Sequence, residues 1–126
     1  MALYEGLMVN VRDSVFDPDS TAPVVQVRDA DKANPIYRVF LFLEGAGVPF
    51  VSSVTYALRT SPDRPEIRRV RRTLTNSRFK LELWTWAVYD VDVTIVDQAG
   101  RRDVRTYRLT FDRELRGENV SYMLKS

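Results

Sequence analysis

Residues 89–96, YDVDVTIV, alternate polar and apolar with a period of two. Val91, Val93 and Ile95 fall on one face, and Asp90, Asp92 and Thr94 on the other. That period belongs to a half-buried β-strand, because successive side chains leave opposite faces of the pleat. It returns along the chain. In VSSVTYALRT, residues 51–60, Val54, Tyr56 and Leu58 point inward, and Ser53, Thr55 and Ala57 outward. In FKLELW, residues 79–84, Phe79, Leu81 and Leu83 face inward, and Lys80, Glu82 and Trp84 outward. In RRDVRTYRLTF, residues 101–111, Arg105, Tyr107, Leu109 and Phe111 share a face. The stretch IYRVFLFLEG, residues 36–45, differs. Tyr37, Val39, Leu41 and Leu43 load one face while Phe40 and Phe42 load the other, which predicts a central strand covered on both sides.

The remaining segments are weaker. Leu3–Val11 reads as a first strand. Residues 12–35 carry Pro18, Pro23 and Pro35 and read as a long connection with a short extended piece at Val24–Val27. EIRRVRRTL, residues 66–74, reads as a short edge strand whose arginines discourage edge-to-edge pairing. GAGVPF, SPDRP, TNS and DQAG supply turns. A helical turn is expected near residues 112–116, followed by a short extended tail. Seven to eight short antiparallel strands, with no long helix, predict an all-β sandwich folding as one domain over residues 1–126.

Composition closes off several functions. The chain has 126 residues and contains neither cysteine nor histidine. Disulfides, thiolate metal sites, Ser-His and Cys-His catalytic pairs, and the commonest general base are therefore excluded. Glu82, Asp90 and Asp92 are spaced as outward strand residues, without a motif for paired catalytic carboxylates. DPDS at residues 17–20 and DAD at 29–31 lack the ligand count and glycine of a calcium loop. The expectation is a non-enzymatic protein with no cofactor and no metal. Nothing approaches eighteen consecutive apolar residues, so no membrane span is expected. Glu5 interrupts the apolar N-terminus and no basic segment precedes it, unlike a signal peptide. A cytoplasmic location is expected. The NVS triplet at Asn119 reads as a chance match.

Trp84, Trp86 and Tyr89 crowd the entrance to the alternating strand. Trp86 and Tyr89 read either as walls of a ligand slot or as an apolar plug on the sandwich end. Trp84 lies by alternation on the outer face, either as an interface anchor or covered by Phe40 or Phe42 across the sheet. Arg64, Arg68, Arg69, Arg71 and Arg72 stand against one glutamate, Glu66, in RPEIRRVRR. They read as a solvated edge or as a contact for phosphates or an acidic partner. No aromatic residue interleaves with them and the net charge is only +2, so nucleic acid is not the expected partner.

With strands in place, residues 37–96 resemble the YEATS domain family, in particular its prokaryotic branch. Tyr56-Ala57-Leu58 matches the end of a family strand, Ser61 the motif serine, and Arg64-Pro65 the basic-proline segment. Trp86 falls on the motif tryptophan and Tyr89 on the motif aromatic, with VYDVDVTI as the strand that follows. Arg59 stands at the motif histidine, Pro62 at the motif aromatic after the serine, and Thr85 and Ala87 at the glycines flanking the tryptophan. The resemblance implies an immunoglobulin-like sandwich that recognises a protein or peptide through loops at one end. In eukaryotic members of the family the ligand is acylated lysine on histone tails, its flat amide held between aromatic rings and hydrogen-bonded by a serine hydroxyl. Carried over, the ligand-binding residues are Arg59, Ser61, Thr85, Trp86, Ala87 and Tyr89, with Arg59 favouring an anionic or carbonyl-bearing ligand. The alternative is a structural or protein-interaction domain of a larger signalling or defence protein, without a small-ligand slot.

Overall fold

Nine strands form two sheets among the described residues of a computed structural model, which are 8–21, 24–29, 32–61, 63–116 and 123–125. They are β1 (Asn10–Ser14), β2 (Val25–Arg28), β3 (Ile36–Glu44), β4 (Val51–Leu58), β5 (Glu66–Arg71), β6 (Leu81–Thr85), β7 (Asp90–Asp97), β8 (Arg102–Arg108) and β9 (Met123–Lys125). One sheet runs β5-β4-β7-β8. In the other, β3 pairs with β6 along one edge, and with β1 and β2 end to end along the opposite edge. The pairings are antiparallel except for β9, which lies parallel to β2. An all-β sandwich is thus the architecture, with nine strands in place of the expected seven to eight. A single turn of helix, α1 (Phe111–Glu114), follows β8. No helix among the described residues is long and apolar enough to cross a membrane.

The period-two faces meet in one core. Val54, Tyr56 and Leu58 of β4 and Val91, Val93 and Ile95 of β7 pack against Val39, Leu41 and Leu43 of β3 and Leu83 of β6. Removing these side chains from water is the main stabilising term, about 1.5–3 kcal/mol for each fully buried aliphatic. β3 is central, as its doubly apolar pattern predicts. Phe40 and Phe42 are also buried, on the sheet's outer face. The cover over Phe40 is polar. Lys80 lies 5.5 Å from its ring centroid and is itself held by Asp17 and Asp19, each at 2.9 Å. A proline-containing connection therefore lies against the outer face and anchors there through ion pairs.

The first strand falls later than expected. β1 covers Asn10–Ser14, whereas the sequence places a strand at Leu3–Val11 and a connection from Arg12 onward. Residues 3–7 of that expected strand lie outside the described residues. Arg12–Ser14 read as connection because Asp13 sits at an inward position. Its carboxylate is satisfied only by residues far along the chain. It accepts from the Thr110 and Phe111 backbone N–H groups, both at 2.9 Å, from the Thr110 hydroxyl at 2.7 Å, and from the Tyr107 hydroxyl. A buried carboxylate with that many donors is tolerated where an unpaired one is not.

Candidate functional site

Register brings several strand ends to one end of the sandwich. Leu58 closes β4 opposite Glu66 of β5 and Val91 of β7, while Thr85 closes β6 opposite Tyr37 of β3. The β4–β5 and β6–β7 loops, with the start of β3, enclose a cleft of about 250 Å3. Thr60, Trp84, Trp86 and Tyr89 line it, together with Ile36 and the Thr85–Ala87 turn.

Thr85 builds that turn. Its hydroxyl donates to the Ala87 carbonyl at 2.9 Å and accepts from the Ala87 N–H at 3.1 Å. A threonine side chain thus closes a tight turn through its own hydrogen bonds. The result is an indole that leaves the core: Trp86 is 60% exposed. Tyr89, by contrast, is half-buried and packs against the core. Burial, with a further push from the Glu66 carboxylate, moves the Tyr89 phenol up to about 12, so it is a neutral donor at physiological pH. Trp84, on the outer face, is covered by a cation. The Arg28 guanidinium of β2 lies 3.8 Å from its ring centroid, a cation–π contact rather than a Phe40 or Phe42 pair.

Of the residues expected at the site, Thr85, Trp86, Ala87 and Tyr89 lie together in the cleft. Arg59 and Ser61 are exposed and do not line it. Arg59 forms a two-pronged pair with Asp92 of β7, Nε to Oδ2 at 2.8 Å and Nη2 to Oδ1 at 2.7 Å. That carboxylate raises the Arg59 pKa, and Arg59 in turn holds Asp92 below the ordinary carboxylate value. The guanidinium is therefore committed to the outer face of the β5-β4-β7-β8 sheet. Pro62 lies outside the described residues.

Thr60 and Ile36 line the cleft without having been singled out in the sequence. A signal for Thr60 was there. Val54, Tyr56 and Leu58 set the inward parity of β4, and Thr60 continues it, whereas Arg59 and Ser61 have the outward parity. Thr60 remains tied to the strand end by an N–H···O bond to Leu58 of 2.8 Å. No comparable signal marks Ile36, whose place comes from pairing with Arg28 in the β2–β3 hairpin.

The arginine run divides by strand face. Arg72 turns inward, donating to the Val48, Val51 and Ser77 carbonyls, with its guanidinium 5.0 Å from the Phe79 ring centroid. Arg68 pairs with Glu66. Arg69 and Arg71 point to the outer face of the sheet with Ser53 and Thr55. β5 is an edge strand, as expected.

The arrangement defines a β-sandwich with an aromatic cleft at one end. No protein-family model matches the sequence, and no curated protein matches it.

Proposed function

We propose that this protein is a non-enzymatic recognition module that takes a flat, neutral, carbonyl-bearing group of a protein or peptide in the end cleft. The observation that carries this reading is that the exposed Trp86, the half-buried Tyr89 and Thr60 line one open cleft. Two ring faces suit a planar amide, and a neutral amide brings no charge that the apolar walls would leave unpaired. An acylated lysine fits that description, in keeping with the resemblance to the YEATS family, whose eukaryotic members read that group. The hydrogen-bonding hydroxyl is then that of Thr60 rather than Ser61. Arg59, paired with Asp92, is given no part in ligand selection in this reading.

The experiment is a titration with Nε-acetyl-lysine and short acetylated peptides, followed by tryptophan fluorescence. Saturable quenching that disappears in Trp86→Ala, with Trp84 still present as the second reporter, is the expected result. Unmodified lysine peptides should give none. Equal binding by Trp86→Ala and the parent would remove the cleft from consideration.

A protein-interaction domain with no small-ligand slot is the second reading, favoured by the same exposed indole acting as an anchor. In that case Trp86→Ala abolishes binding of a protein partner, while acetyl-lysine has no effect on the fluorescence of the parent.

A further inference from the structure

The outer face of the β5-β4-β7-β8 sheet carries a second constellation, away from the cleft. Pairing sets Arg71, Ser53, Val96 and Arg102 in one row across the four strands. The next row is Arg69, Thr55, Thr94 and Val104. Between the flanking arginines lies a depression of about 280 Å3 lined by Ser53, Thr55, Arg69, Thr94, Val96 and Arg102.

Two features set it apart from an ordinary solvated face. The carboxylates on this face stand further along the strands and are already engaged. Asp92 takes Arg59 and the Thr106 hydroxyl, and Asp90 takes Arg108. Arg69, Arg71 and Arg102 have no carboxylate partner among the described residues. The hydroxyls are also unengaged. Ser53, Thr55 and Thr94 make no side-chain hydrogen bond to another described residue, whereas the neighbouring Ser52 donates to the Val96 carbonyl at 3.1 Å.

From this geometry we infer that the face binds a phosphate monoester dianion, clamped between Arg69 on β5 and Arg102 on β8. Three strand spacings, roughly 14 Å, separate the backbones of β5 and β8. Two guanidinium side chains reaching inward from those strands converge on one tetrahedral anion. Their planar N–H forks match phosphate oxygens, and the three hydroxyls between them add donors from below. A strand of nucleic acid fits less well, because the outward residues of these rows include no aromatic ring on which a base could stack. The inference stands apart from the cleft reading, since no residue is shared between the two sites.

The test is a titration of the whole chain with inorganic phosphate at constant ionic strength, followed by backbone amide and arginine Nε–H resonances. Chloride serves as the matched control. Saturable shifts are expected at Thr55, Thr94, Arg69 and Arg102. Each of Arg69→Gln and Arg102→Gln should weaken phosphate binding about tenfold, the scale of one hydrogen bond to a charged group. Arg64→Gln, in the β4–β5 loop, should leave it unchanged. A phosphoserine peptide and a nucleoside monophosphate then separate the sources of the phosphate by which of them binds more tightly than phosphate alone. Equal shifts with chloride, or the same affinity in the Arg69→Gln/Arg102→Gln double variant, would overturn the site. So would preferential binding of duplex DNA, which would make the surface a polyanion contact instead.

Discussion

The Tyr56 hydroxyl donates a 2.8 Å hydrogen bond to the Phe79 carbonyl, joining β4 to the segment that leads into β6 in the other sheet. Both side chains are fully buried. Phe79 adopts a φ of +57°, a region that bulky residues rarely enter. The strain is offset by burial of its ring and by the bond from Tyr56. Burial also raises the Tyr56 pKa far above its ordinary value, so the hydroxyl keeps its proton across the accessible pH range. Tyr56→Phe should cost about 1–2 kcal/mol, since it leaves the Phe79 carbonyl unsatisfied. Tyr56→Ala should cost about 3–5 kcal/mol, on the scale of emptying an aromatic core position. Urea unfolding of the two variants gives both numbers, and equal losses would show that the hydroxyl contributes nothing separable from the ring.

Asp13 ties β1 to the segment after β8. Asp13→Ala strips the Thr110 and Phe111 N–H groups of their acceptor in a largely buried setting. The expected loss is about 3 kcal/mol, larger than for an ordinary surface aspartate. Hydrogen exchange at the Thr110 and Phe111 amides should accelerate in the variant before any global unfolding.

Gly45 has a φ of +119°, and a Cβ placed there would collide with the backbone carbonyl oxygen of Met8. That same oxygen accepts from the Gly47 N–H at 2.9 Å, so the backbone cannot retreat without losing a bond. Gly45→Ala should therefore destabilise by roughly 1–3 kcal/mol. Gly100, also at positive φ but with open space around it, should be less sensitive. A thermal melt of both alanine variants checks the order.

Stability should hold a plateau set by Asp17 and Lys80. Burial opposes charge on Asp17, but hydrogen bonds from Lys80 and the Asp19 N–H hold its pKa below the ordinary 3.8. Its contribution is present above pH 3.8 and lost as pH falls through the lower folded value. Burial likewise opposes charge on Lys80, while Asp19 and Asp17 hold its pKa above 10.5. Its contribution is present below pH 10.5 and lost as pH rises through the higher folded value. Lys80→Met should flatten both shoulders, by about 1 kcal/mol or less given the partial exposure of the pair. Denaturant midpoints measured across pH test this, and shoulders persisting unchanged in the variant would assign them to other groups.

Arg59→Ala and Trp86→Ala should behave oppositely in the cleft. Arg59 points to Asp92, so its loss should leave acetyl-lysine binding unaltered. Trp86→Ala should remove at least about 2 kcal/mol of binding, as truncation of an aromatic anchor does. Because the indole is largely exposed, folding stability should change by no more than about 0.5 kcal/mol. Isothermal titration and urea unfolding on the same two variants separate the effects.

Much of the sandwich could be read from the chain because period two is a local property. The inward faces of β4, β6 and β7 and the doubly buried β3 follow from alternation alone. Parity along β4 also contained Thr60 as a cleft residue, although the motif likeness pointed instead to its neighbours Arg59 and Ser61. The turn at Thr85 was less legible. Alternation says nothing of a turn at Thr85, whose hydroxyl closes it on both polar groups of the Ala87 backbone.

The sequence by itself determined which residues alternate, and hence that strands, two faces and one apolar core would form. Only the tertiary structure decided which charges were spoken for. Asp13 needs Thr110 and Phe111, Arg59 needs Asp92, and Trp84 needs Arg28, all partners far away along the chain. Hydrophobic burial depends on each residue's own surface and so shows in local periodicity. The fate of a charge depends on what stands within a few ångströms, which only register and sheet packing fix.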